Sequence, residues 1–96
     1  MPSRDAMLQA IRRIWEEGTL ITGQHFGERQ DGRGFSHATL LRVLENGVVA
    51  ADPVWNEQHG NWSVTIHGTS VDGETVTVVL GVDLEGSVLH LVTIYG

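Results

Sequence analysis

Apolar positions set two different periods along this chain. Met7, Leu8, Ile11, Ile14 and Trp15 fall at i, i+1, i+4, i+7 and i+8, one helical stripe, with Arg12, Arg13, Glu16 and Glu17 largely opposite. This spacing predicts a helix from Ser3 to Glu17, with Ser3 as N-cap, Asp5 in the first turn where a negative charge suits the helix dipole, and Gly18 as the stop. A second helix is predicted from about Ser36 to Asn46. Ser36 caps it, Leu40, Leu41 and Leu44 form its buried stripe, Phe35 sits at the staple position, and Asn46-Gly47 ends it. After Gly47 the period becomes two. Val48 to Ala51 reads as a strand closed by Asp52-Pro53, and Trp62, Val64 and Ile66 alternate with Ser63, Thr65 and His67. Val71-Asp72-Gly73-Glu74 is a tight-turn signal before the β-branched run Thr75 to Val82, which pairs back as a hairpin. A further turn at Leu84 to Ser87 leads into a last strand, Val88 to Tyr95, whose apolar residues on both faces suit an internal position. Helices first and strands afterwards define an α+β domain. The N-terminal helices pack on one face of a four-stranded, mainly antiparallel sheet.

Length and composition narrow the class further. Ninety-six residues make one domain, residues 1–96, with 41% hydrophobic and 19% charged residues, the balance of a globular core. With no cysteine, disulfide scaffolds, thiolate metal sites and thiol nucleophiles are excluded. No apolar run approaches the roughly 20 residues a membrane span needs, and the N-terminus leads into a charged helix rather than a signal sequence, so no membrane association and a cytoplasmic location are expected. All six basic residues are arginines, and Arg4, Arg12, Arg13, Arg29, Arg33 and Arg42 lie in residues 1–47, balanced there by six carboxylates. Residues 48–96 carry Asp52, Glu57, Asp72, Glu74, Asp83 and Glu85 with no Lys or Arg, so the formal net charge of -6 sits wholly in the sheet half. A phosphate-binding surface must therefore draw its cations from the first half.

The densest run of polar and titratable groups lies between the helices, from Thr22 to His37. His25, Arg29 and Arg33 are spaced four apart, so a short helix would line an imidazole and two guanidinium groups on one face, an anion site beside a proton-transfer group. The elements His25-x-x-Glu28-Arg29-x-x-x-Arg33-Gly34-Phe35-Ser36, Leu44-x-Asn46-Gly47-Val48-Val49 and Val92-Thr93-Ile94-Tyr95, in this order, resemble the small bacterial domain-of-unknown-function 4258 family, placed near the RelE-like and MqsR-like toxins. The resemblance implies a RelE-like fold with helices on a curved antiparallel sheet. It also implies a metal-independent endoribonuclease, acting through Arg, Lys, His or Tyr on the sheet face and C-terminal strand and inhibited by an antitoxin. On that reading His25, Arg29, Thr93 and Tyr95 are the catalytic candidates and Arg33 binds substrate, with RNA as substrate and no metal or cofactor.

A second class of function stands beside it: a catalytically silent module on the same fold, dimerising through an exposed strand edge or binding another protein. The two separate on whether Arg29, Arg33 and Arg12 or Arg13 converge beside His25. His25 and Arg29 read equally as a fold-stabilising pair, and His67 and His90 as neutral strand imidazoles bonded across the sheet. Thr93 and Tyr95 are residue types that strands favour in any case. His25, Glu28 and His37 offer metal donors without a recognised ligand spacing. Trp15, Trp55 and Trp62 read most simply as packing, although Trp55 to Trp62 encloses a polar loop between two indoles that would stack a ligand.

Overall fold

Ser3 and Ser36 begin the two helices through the same bond. In the computed structural model, which describes residues 2–23 and 35–96, the Ser3 hydroxyl accepts from the Ala6 amide at 3.0 Å to open α1 (Arg4–Glu17). The Ser36 hydroxyl accepts from the Thr39 amide at 3.2 Å to open α2 (His37–Asn46). Met7, Leu8, Ile11 and Ile14 of α1 are buried, as their spacing requires. On α2 the buried set is Leu40, Val43 and Leu44; Leu41 is only half-buried, turned to a shallow indentation beside Arg12 and Trp15.

The glycines that stop the helices do so by size rather than by a left-handed turn. Gly18 and Gly47 have φ of -108° and -81°, open to any residue. A Cβ on Gly18 would lie 2.3 Å from the Ser87 carbonyl oxygen, and one on Gly47 would lie 2.4 Å from that of Val43 and 2.7 Å from a methyl of Ile66. Each glycine therefore lets the chain leave its helix directly against the sheet.

The sheet has six strands rather than the four that the period predicts, and it is mixed. β1 (Thr19–Ile21), β2 (Val48–Val49), β3 (Val54–Asn56), β4 (Asn61–Thr69), β5 (Thr75–Asp83) and β6 (Val88–Tyr95) form an open sheet of order β1-β6-β5-β4-β2, with β3 also on β4. All pairs are antiparallel except β1 with β6. The additional strands, β1 and β3, are three residues each, too short to display a period. β1 is seated where the Thr19 amide donates to the Ser87 carbonyl. β6 is internal, between β1 and β5, as expected of its apolar content.

Both helices lie against one face. Val49, Val64, Ile66, Val76, Val78, Leu80, Val82, Leu89 and Leu91 close the core beneath them. Along β6 the alternation breaks at a bulge: Leu91 pairs with Leu80 but Thr93 with Val79, leaving Val92 as the extra residue. Leu89 and Leu91 face the helices before the bulge and Ile94 packs against the core after it, so Thr93 and Tyr95 are turned outward with Val92. Without the bulge, strict alternation would put Thr93 in the core.

Candidate functional site

The opposite sheet face carries no helix among the described residues. Cross-strand register arranges it in rows: Val48, His67, Thr77 and Tyr95; Thr65, Val79 and Thr93; and Val54, Ser63, Gly81, His90 and Ile21. Five of the large apolar side chains exposed to water are here, namely Ile21, Val48, Val54, Val92 and Tyr95. The described strand residues of this face include no Lys, Arg or Glu, and the single carboxylate, Asp83, sits at its end.

Thr93 and Tyr95, the catalytic candidates of the last strand, thus share one face with His67 and His90. His67 and Tyr95 are separated by β5, so their backbones stand roughly 10 Å apart at the usual strand spacing. All four side chains are exposed and none has a hydrogen-bond partner among the described residues, so His67 and His90 are not bonded across the sheet as expected of them. No polar or charged side chain is buried among the described residues. No group there is sequestered from water in the manner of a tuned general acid or base. Among the described residues no three His, Asp or Glu side chains come together as metal ligands. His25, Arg29 and Arg33 lie outside the described residues. Arg12 is committed elsewhere: its Nε donates to the Leu44 carbonyl at 2.9 Å and its Nη2 to that of Glu45 at 2.8 Å, so it caps the C-terminal end of α2. Arg4 pairs with Asp52 at 2.9 Å, with both side chains exposed.

A cleft of about 390 Å³ lies at one end of the sheet, lined by Trp55, Gly60, Trp62, Asp83, Leu84 and Glu85. Trp55 and Trp62 are a directly opposed pair of the β3–β4 hairpin, and their rings meet edge to face with centroids 5.2 Å apart and planes at 67°. The turn that joins them is fixed from within. Asn56 accepts the Gly60 amide on its carbonyl at 2.8 Å and the His59 amide on its side-chain oxygen at 3.2 Å, and Gly60 takes a φ of 64°.

Residues 22–96 match the family model described as Domain of unknown function (DUF4258). The chain belongs to the DUF4258 family. No curated protein and no solved structure matches it at a significant level. The DUF4258 match takes in α2 and β2 to β6, whereas α1 and β1 precede it, yet α1 contributes Met7, Ile11 and Ile14 to the same core.

Two features of this DUF4258 chain escape the periodicity argument. The hairpin was announced by mirror symmetry instead, because Trp55-Asn56 and Asn61-Trp62 flank a four-residue turn that brings like residues opposite one another. The two-way clasp of Asn46, which donates to the Thr69 carbonyl and accepts from the Thr69 amide at 3.0 Å each, had no sequence signal. It ties the end of α2 to the end of β4 across 23 residues.

Proposed function

We propose that this chain is a non-catalytic protein-interaction module whose open sheet face packs against a second copy of itself. The observation that supports it is that this face, in a chain of net charge -6, exposes five large apolar side chains and carries one carboxylate, Asp83, at its end. Two such faces meet with only the Asp83 carboxylates at their ends to keep apart, while the other described carboxylates stay in water at the turns and helix surfaces. Three strands of eight or nine residues, widened by the short β1, β2 and β3, give at about 4.8 Å by 3.3 Å per residue a footprint on the order of 500 Å² before side-chain relief. This approaches the roughly 800 Å² per partner of a stable interface. Face-to-face packing of this kind is the geometry of a sheet sandwich.

The test is the mass of the protein in solution by sedimentation equilibrium over a concentration series. The wild type should dimerise, and Val54→Glu with Val92→Glu, both at exposed positions, should give a folded monomer. A wild type that stays monomeric throughout, or a double variant that still dimerises, would exclude this face as the dimer contact. Binding of a different protein to the same face would keep the module and change its occupant.

The ribonuclease reading, that of a RelE-like toxin relative, draws support from one observation: Thr93 and Tyr95 present their hydroxyls on the same face as His67 and His90. In it His25 is general acid or base beside Arg29, and Arg33 holds a phosphate. His25→Gln and Arg29→Gln should then abolish RNA cleavage and growth inhibition without lowering the melting temperature, by roughly 10²–10⁴-fold for the loss of a proton-transfer group. Wild-type protein that neither cleaves RNA nor slows growth would leave the interaction module alone.

A further inference from the structure

We propose that the cleft walled by Trp55 and Trp62 is a binding site for a quaternary ammonium group. Two indoles at 67° form a corner rather than a flat stack, so a cation seated in the angle meets ring face, where the π-electron density is negative. Trp55 stays 48% exposed, an indole held half in water beside an open cleft. The remaining walls suit a cation as well. Leu84 supplies apolar surface, Asp83 and Glu85 supply negative charge, and Gly60 adds no side chain at the rim. The volume of about 390 Å³ falls at the lower end of small-ligand clefts.

No cation among the described residues competes for this corner. Residues 48–96 contain no Lys or Arg, and no described arginine lines the cleft. The choice of a methylated over a plain ammonium follows from the acceptors. An –NH₃⁺ group needs up to three acceptors to replace its water. Here one Asp83 oxygen already accepts the Gly86 amide at 2.9 Å, while Glu85 is exposed. A quaternary ammonium has no N–H to satisfy, is weakly hydrated, and gains from the ring faces and from long-range attraction to both carboxylates. The hairpin holds the two rings in place before any ligand arrives, because the Asn56 bonds fix the turn between them.

The probes are tetramethylammonium and choline, with 3,3-dimethylbutanol as the uncharged isostere of choline. Binding is read by indole fluorescence in a Trp15→Phe background, which leaves only the two cleft indoles to report. Both cations should quench or shift the emission saturably, and the isostere should bind about two- to fivefold more weakly, since an exposed cation–π contact corresponds to roughly that ratio. Trp55→Ala should weaken choline about tenfold or more, Trp55→Phe should restore part of it, and Glu85→Gln, at an exposed position, should weaken it about twofold at low salt. A trimethyllysine peptide that binds more tightly than tetramethylammonium would identify the cation as one carried on a protein; equal affinity would identify a free small molecule. Equal binding of choline and its isostere, or no response up to roughly 100 mM, well above any Kd of about 1 mM, would overturn the proposal.

Discussion

Gly47 and Gly23 show how the same residue type carries different weight. A methyl group on Gly47 collides with the Val43 carbonyl and Ile66, whereas one on Gly23 meets none of the described residues within 4 Å. Gly47→Ala should therefore cost about 1–3 kcal/mol through overpacking, with a fall in melting temperature of roughly 4–8 °C per kcal/mol. Gly23→Ala, at a position without positive φ, should leave stability unchanged or raise it by about 0.5 kcal/mol through the unfolded chain. Thermal unfolding of both variants checks the contrast, and a harmless Gly47→Ala would mean that helix and sheet can separate there. Arg12 gives a second test at this scale. Arg12→Met keeps the apolar stem but removes two charge-assisted bonds to the end of α2, and should cost about 1–3 kcal/mol. Its role was not legible in the sequence, because Arg12 and Glu45 are 33 residues apart and on different helices.

Elements show the same division between pattern and context. Both helices were legible because their caps and stripes are local: Ser36→Ala should cost about 1 kcal/mol by loss of the bond to Thr39, measurable by denaturant unfolding. β1 and β3 were not, because a three-residue strand exists only through the partner beside it. The bulge of β6 belongs to this class as well. Removal of Val92, the extra residue, should leave a regular strand with Leu91 and Ile94 still facing the helices and Thr93 and Tyr95 still outward, and should change stability by about 1 kcal/mol or less in denaturant unfolding. A deletion variant that unfolds much more readily than the wild type would show that the bulge itself supports the fold.

For the whole molecule the decisive property is the segregation of charge. Six carboxylates and no Lys or Arg fall in residues 48–96. Self-repulsion among them opposes folding and is screened by salt, so the melting temperature should rise between low and moderate ionic strength. A protein held together by its ion pairs would show the reverse, and the exposed Arg4–Asp52 pair is too solvated to dominate. The same imbalance predicts affinity for bulk RNA weaker than micromolar at physiological ionic strength, checked by filter binding. Tight binding without sequence preference would require a cation cluster outside the described residues.

The sequence by itself determined the two helices and their caps, the β-rich second half, the internal position of the last strand and the charge asymmetry. All of these are written in neighbours within about one turn or in composition. The tertiary structure alone decided which side of the sheet the helices cover and hence that Val48, Val54 and Tyr95 stand in water. It also decided that β1 joins the sheet parallel to β6, and that Trp55, Trp62 and Leu84 share a cleft. The physical reason is the range of the interactions. Periodicity records which residues avoid water, but not which of two faces a distant helix will cover, nor which side chains from separate turns the register will bring together.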